Sequence, residues 1–155
     1  MKRVITAISA LFMVIMTAGC SGLAVIKPMT AAEYSDELNR AHLEYVGESR
    51  RMVQSIEDND PDAARDAENG CIKMLDVMIG LPAPAEVASV ESAFEAALQE
   101  EKEYIALCRE FVELKAAGND AERLAEVAAE IKDYLERSPM TFAMNDMIVA
   151  VNKLK

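Results

Sequence analysis

Histidine, cysteine and aromatic side chains are scarce in this chain, which has one His, three Cys, no Trp, and Phe plus Tyr at only 5%. So few ligating and nucleophilic groups exclude most metal and nucleophile chemistry by shortage. Nucleophile elbows, phosphate-binding glycine loops, zinc spacings and a haem-attachment motif are all absent from the sequence. Five Pro and six Gly are too few for a loop-rich all-β chain and suit long helices. Basic residues are the minority, 16 against 27 acidic, for a net charge of -11. Phosphate backbones repel such a chain, so nucleic acid is not an expected partner. What is present is 52% apolar and 28% charged residues over 155 positions, with ten Met. That composition specifies a single folded domain rather than a disordered chain.

The N-terminus has its own pattern. Lys2 and Arg3 precede Val4 to Met16, an apolar run broken only by Thr6 and Ser9. At about 20 Å as a helix, this run is short of the ~20 residues that a stable membrane span needs. It therefore reads as the apolar segment of an export signal. Thr17-Ala18-Gly19-Cys20 follows, with small residues before a cysteine. Over residues 1 to 22 the sequence resembles a bacterial lipoprotein precursor. Thr17 stands where that class prefers Leu, whereas Ala18, Gly19 and Cys20 fit.

The resemblance implies cleavage before Cys20, a diacylglyceryl thioether on its sulfur, and acylation of the new amino group. It divides the chain into a cleaved signal peptide (1–19), a lipidated cysteine and tether (20–29), and a helical bundle domain (30–155). Ser21 in place of Asp implies the outer membrane, facing the periplasm, in a Gram-negative host. In another host it implies the outer face of the cytoplasmic membrane. Losing Lys2 and Arg3 with the signal leaves 14 basic and 27 acidic residues, a net charge of -13. A domain so charged is expected to stand off from anionic headgroups, leaving the lipid as the main membrane contact.

The mature chain reads as helices. Thr30-Ala31-Ala32-Glu33 is a capping box, and Tyr34, Leu38, Ala41, Tyr45, Met52 and Ile56 continue as one apolar stripe. Asp60 and Pro61 start helix 2, whose stripe is Ala64, Ala67, Cys71, Leu75 and Met78, stopped at Gly80. Helix 3 begins near Pro84 and ends at Gly118, with Val87, Val90, Phe94, Leu98, Ile105, Cys108 and Val112 on one face. Asn119-Asp120-Ala121-Glu122 opens helix 4, lined by Leu124, Val127, Ile131 and Leu135. Ser138-Pro139 interrupts it, and the period resumes through Met140, Met144, Met147, Val151 and Leu154. A reversal at Pro139 would leave the far half of helix 3 bare, so a kink is expected. The fold class is all-α, an antiparallel up-down-up-down four-helix bundle with a kinked last helix near Pro139.

Candidate chemistry is thin. Asp58, Asp60 and Asp62 alternate like the start of a calcium loop, but Ala63 and Asn69 stand where Gly and Glu are needed. These acids read as helix-start residues. Counting along the helix 2–3 hairpin places Cys71 and Cys108 roughly 20 Å apart, beyond a disulfide's reach of about 7 Å. Two unpaired, buried thiols are expected. Met140, Met144 and Met147 share a face that suits Cu(I) in principle, but core packing is the stronger reading. His42 has no partner in sequence and reads as a boundary residue. Glu122, Glu126 and Glu130 form a like-charge ladder, either a solvated face or a docking surface for a basic partner. No catalytic, cofactor-binding or metal-ligating residue is assigned.

Three functions fit this pattern. The first is a membrane-anchored, noncatalytic binding or structural module of the cell envelope. The second is an inhibitor or immunity-type lipoprotein capturing a basic enzyme. The third, less favoured, is a Met-based copper or small-ligand carrier. An enzyme is not expected.

Overall fold

The protein's structure, a computed structural model, describes residues 29–154. The expected signal peptide, Cys20 and the tether up to Pro28 lie outside the described residues. Five helices follow: α1 (Ala31–Asp58), α2 (Pro61–Ile79), α3 (Ala88–Ala117, preceded by a 3-10 turn at Ala85–Val87), α4 (Ala121–Arg137) and α5 (Pro139–Asn152). No strand occurs among the described residues. The chain is an all-α helical bundle.

Local chemistry sets the helix ends. The Thr30 side chain accepts from the Glu33 N–H, and the Glu33 carboxylate accepts from the Thr30 N–H at 2.9 Å, so the capping box is complete. Asp60 caps α2 by accepting from the N–H groups of Asp62 and Ala63, with Pro61 in the first turn, where its missing N–H costs nothing. Asp60 and Asp62 are thus helix-start groups, and Asp62 also pairs with Arg65; Asp58 instead ends α1, where it accepts from Gln54. Gly118 closes α3 with φ +64, the left-handed conformation that glycine adopts without strain.

Gly80 follows α2 in right-handed geometry, so the left-handed caps are Gly118 and two non-glycine residues, Asn59 and Ser138. Ser138 (φ 44) makes the break between α4 and α5. Pro139 has no N–H to give the Leu135 carbonyl, and the Ser138 hydroxyl donates to that carbonyl instead, at 2.6 Å. Holding a side chain in this conformation costs about 1–2 kcal/mol. Ser138→Val is therefore expected to destabilise the domain by about 2 kcal/mol. Ser138→Gly, trading relief of strain against the lost hydroxyl bond, is expected to gain about 0.5 kcal/mol. Urea midpoints of the two variants check both signs.

The break does not reverse the chain. Arg137, at the end of α4, pairs with Glu100 in the middle of α3. Residues of the last turns of α5 line a shallow groove with Glu86, Ser89 and Val90 at the start of α3. α4 and α5 therefore run in line, both antiparallel to α3, as a kinked last helix. The short α2 leaves the first half of α3 uncovered, and α5 packs there against α3 and α1.

Three cross-links mark the register along α2 and α3: Asp76 with Lys102, Glu68 with Arg109, and Arg65 with Glu113. The start of α3 thus projects past the end of α2, and residues 80–87 run alongside it. This corrects the 20 Å separation expected for the two cysteines. Cys71 lies between Glu68 and Asp76, as Cys108 lies between Lys102 and Arg109, so the two stand at a similar height. The hairpin count failed because it assumed a tight turn after Gly80. Both thiols are free and buried.

The core runs the length of the bundle, from Tyr34, Leu38 and Met147 to Val112 and Ala64. Burying a Leu- or Met-sized side chain contributes about 2 kcal/mol. Met140, Met144 and Met147 belong to this core. Two residues expected on apolar stripes face outward: Leu135 is 54% exposed and Leu154 40%. On α4 the inward position is taken by Tyr134, whose hydroxyl has a buried partner.

Candidate functional site: a glutamate held by tyrosines beneath an acidic groove

A carboxylate occupies the middle of the core. Glu101 is 5% exposed and sits on the α3 stripe between Leu98 and Ile105. Tyr45 of α1 donates its hydroxyl to Oε1, and Tyr134 of α4 donates to Oε2. Three helices thus meet on one side chain. Among the described residues no buried side-chain nitrogen or oxygen lacks a hydrogen bond. Burial raises the Glu101 pKa, while the two tyrosine hydroxyls, which favour the carboxylate, pull it down; the rise prevails. Burial, and then Glu101 itself, drive the phenols of Tyr45 and Tyr134 far above the usual range.

The thiols belong to the same neighbourhood. Burial, reinforced by Glu48 and Glu101, pushes the Cys71 thiol up to about 12. Burial raises Cys108 to about 11, opposed by its hydrogen bond with Tyr104. Both remain neutral thiols at physiological pH and behave as small apolar groups.

Above Glu101 the polar core reaches the surface. Tyr104 stacks on Tyr134, with ring centroids 4.4 Å apart and planes 14° apart. These rings, with Leu107 and Ala129, line a groove of about 450 Å³ between α3 and α4. Its charged lining is Glu100, Glu103, Glu130 and Asp133, against one cation, Arg137. The Arg137 guanidinium lies 5.8 Å from the centre of the Tyr134 ring and pairs with Glu100 at 2.9 Å and Asp133 at 3.0 Å. A positive group over an aromatic face is attracted by the ring quadrupole. The groove thus already holds one cation, from the chain itself, against the tyrosine pair.

The ladder on α4 is less bare than its sequence implies. Arg123 pairs with Glu126 at 3.2 Å, Glu130 at 3.4 Å and Glu110 of α3 at 2.8 Å. Glu122 is exposed in the first turn of α4, where the helix dipole favours it. Only Glu130 of the three lines the groove. His42 is half-buried on α1, and burial lowers its pKa.

Sequence reading missed Glu101 and the tyrosine pair. A usable signal existed: Leu98, Glu101 and Ile105 are spaced by three and four, which puts a carboxylate on the buried face. The partners were not readable, because Tyr45 and Tyr134 are 56 and 33 residues away.

Among the described residues no group of three His, Cys, Asp or Glu is placed to hold a metal ion, and no helix is long and apolar enough to cross a membrane. Fold and site together define an all-α bundle with a tyrosine-held buried glutamate and an acid-lined aromatic groove. Comparison with known proteins gives no match: no family model, curated protein or solved structure is similar to this chain.

Proposed function

We propose that this protein is an exported lipoprotein, held through Cys20 on a cell-envelope membrane, whose noncatalytic bundle binds a basic envelope protein. The groove between α3 and α4 carries the reading. Its carboxylates attract a Lys- or Arg-bearing partner at long range, and its tyrosine floor gives a cationic side chain a specific seat. Arg137 over Tyr134 supplies an intramolecular precedent for that contact. Arg137 already engages Glu100 and Asp133, and Arg123 engages Glu130, so Glu103 is the lining carboxylate that offers charge to a second cation. The N-terminal pattern ending at Cys20 supports the location, on the outer membrane facing the periplasm in a Gram-negative host.

The test is capture from envelope extract with residues 21–155 as bait, at low and high salt, beside a Glu103→Lys/Glu130→Lys bait. A basic protein retained at low salt, released at high salt and lost to the charge-reversed bait is the expected result. A partner indifferent to both changes, or no salt-sensitive partner, overturns the proposal.

A further inference from the structure

Of the five helices, α4 is the most lightly held. α1, α2 and α3 each bury six or seven side chains, and α5 buries four in 14 residues. α4 buries two in 17, Val127 and Tyr134, and neither belongs to the continuous core. Half-buried Ile131 is its apolar contact with that core. Its packing is against α3, whereas α5 reaches both α3 and α1. Polar contacts supply the rest: Arg123 with Glu110, Arg137 with Glu100, and the Tyr134 hydroxyl on Glu101. Both ion pairs are partly exposed, where water and salt weaken them.

The ends of α4 are built to turn. Gly118 (φ 64) and Ser138 (φ 44) bracket it, each a single left-handed residue. At Ser138 the backbone ladder divides. Its N–H donates to the Tyr134 carbonyl of α4, while its carbonyl accepts from Thr141 and Phe142 of α5. At the other end the Gly118 N–H donates to Leu114 of α3, and the Leu124 N–H of α4 donates to Asp120. Rotation at either junction therefore leaves the backbone bonds of α3 and α5 intact, and Met140, Met144, Met147 and Val151 keep α5 in the core. Hinges are element-terminal residues that absorb such rotations.

Beneath α4 lie Tyr104, stacked on Tyr134, and one turn further along α3 Cys108, which is hydrogen-bonded to Tyr104 and 1% exposed. Cys71 belongs to α2, where α1 is the close neighbour: the Glu48 side chain lies against Gly70. We propose that α4 is a hinged arm, which lifts from α3 as a unit about Gly118 and Ser138 while the other four helices stay folded, with the Tyr134–Glu101 hydrogen bond as its latch. Cys108 is uncovered when it opens and Cys71 is not. Partial openings of this kind occur where few apolar side chains are buried. α4 supplies one wall of the groove, so an occupant of the groove would hold the arm closed. That consequence rests on the groove being a binding site; the arm itself does not.

The two buried thiols report the motion. The purified full-length protein is treated with N-ethylmaleimide in the range where the rate is linear in reagent, and modification of each cysteine is timed by peptide mass spectrometry. Cys108 is expected to react about tenfold faster than Cys71, because it needs only the arm to open and not the whole domain. Tyr134→Phe keeps the ring but cuts the latch, and should speed Cys108 several-fold. Leu38→Val loosens the core on α1, away from α4, and should speed Cys71 while leaving Cys108 unchanged. Equal rates at the two thiols overturn the arm, since whole-domain unfolding alone then exposes them. So does a Leu38→Val protein in which both thiols speed up together. Amide exchange supplies a further check: rapid exchange along α4 with Cys108 still protected means that the helix frays in place, which also overturns the proposal. Cys108 unmoved by Tyr134→Phe overturns the latch. These readouts involve no partner, so the arm and the function of the groove fail separately.

Discussion

Glu101→Ala is expected to destabilise the domain by about 3–5 kcal/mol, a large part of the roughly 5–15 kcal/mol that holds such a domain folded. The substitution leaves the hydroxyls of Tyr45 and Tyr134 buried without an acceptor, at about 1–3 kcal/mol each, and opens a cavity among Leu98, Ile105 and Cys71. Glu101→Gln keeps the volume and one carbonyl acceptor, so about 1 kcal/mol is expected. Denaturant midpoints at pH 5 measure both. Equal losses in the two variants would show that size, not the paired hydroxyls, governs the site.

The same residue gives a signed pH dependence. The folded-state pKa of Glu101 lies above its unfolded value. The folded state therefore holds this proton more tightly. The group's contribution is fully present below the unfolded pKa and is lost as pH rises through the folded pKa. The stability of the wild type relative to Glu101→Gln should accordingly fall from about pH 4 upward, because only the wild type titrates there. His42 acts with the opposite sign, its lowered pKa adding stability as pH rises past the folded value, but it is common to both proteins and cancels in the difference. A pH-independent difference would sink this account of the core.

Cys20→Ala is expected to abolish membrane attachment rather than weaken it. Each buried methylene of an acyl chain contributes about 0.8 kcal/mol, so two or three chains anchor a protein durably, and without them the acidic domain has little to hold it. Metabolic labelling with a fatty-acid analogue should mark the wild type and leave the variant dark, with the variant's precursor uncut before residue 20. Labelling that survives the substitution, or a wild-type protein that keeps its initiating methionine, refutes the anchor. The prediction does not draw on Glu101, since residue 20 lies outside the described residues.

Much of the bundle was legible residue by residue. The Thr30–Glu33 box, the Asp60-Pro61 start, the Gly118 stop and the Asp120 cap are satisfied within a few residues of themselves, so sequence reports them directly. The in-line continuation past Pro139 was inferred from length alone, and it holds because α5 covers the half of α3 that α2 does not reach. Leu135 and Tyr134 mark where the stripe failed. Both are apolar enough to face inward, and a hydrogen bond to a residue on another helix chose the tyrosine. The cysteine separation failed for a related reason, since height along a hairpin depends on how the connection at 80–87 and the buried faces of the two helices pack, which the cross-helix ion pairs report and counting from the turn does not.

By itself the sequence determined the helices, their ends, the excess of negative charge and the pattern leading to Cys20, because each depends on neighbours in the chain or on composition. Only the tertiary structure decided that Glu101 is clasped by two tyrosines, that those rings floor an acid-lined groove, and that Phe142 and Val149 are left facing outward. Each of these depends on which helix lies beside which and at what height, and that is fixed by side chains meeting across tens of residues.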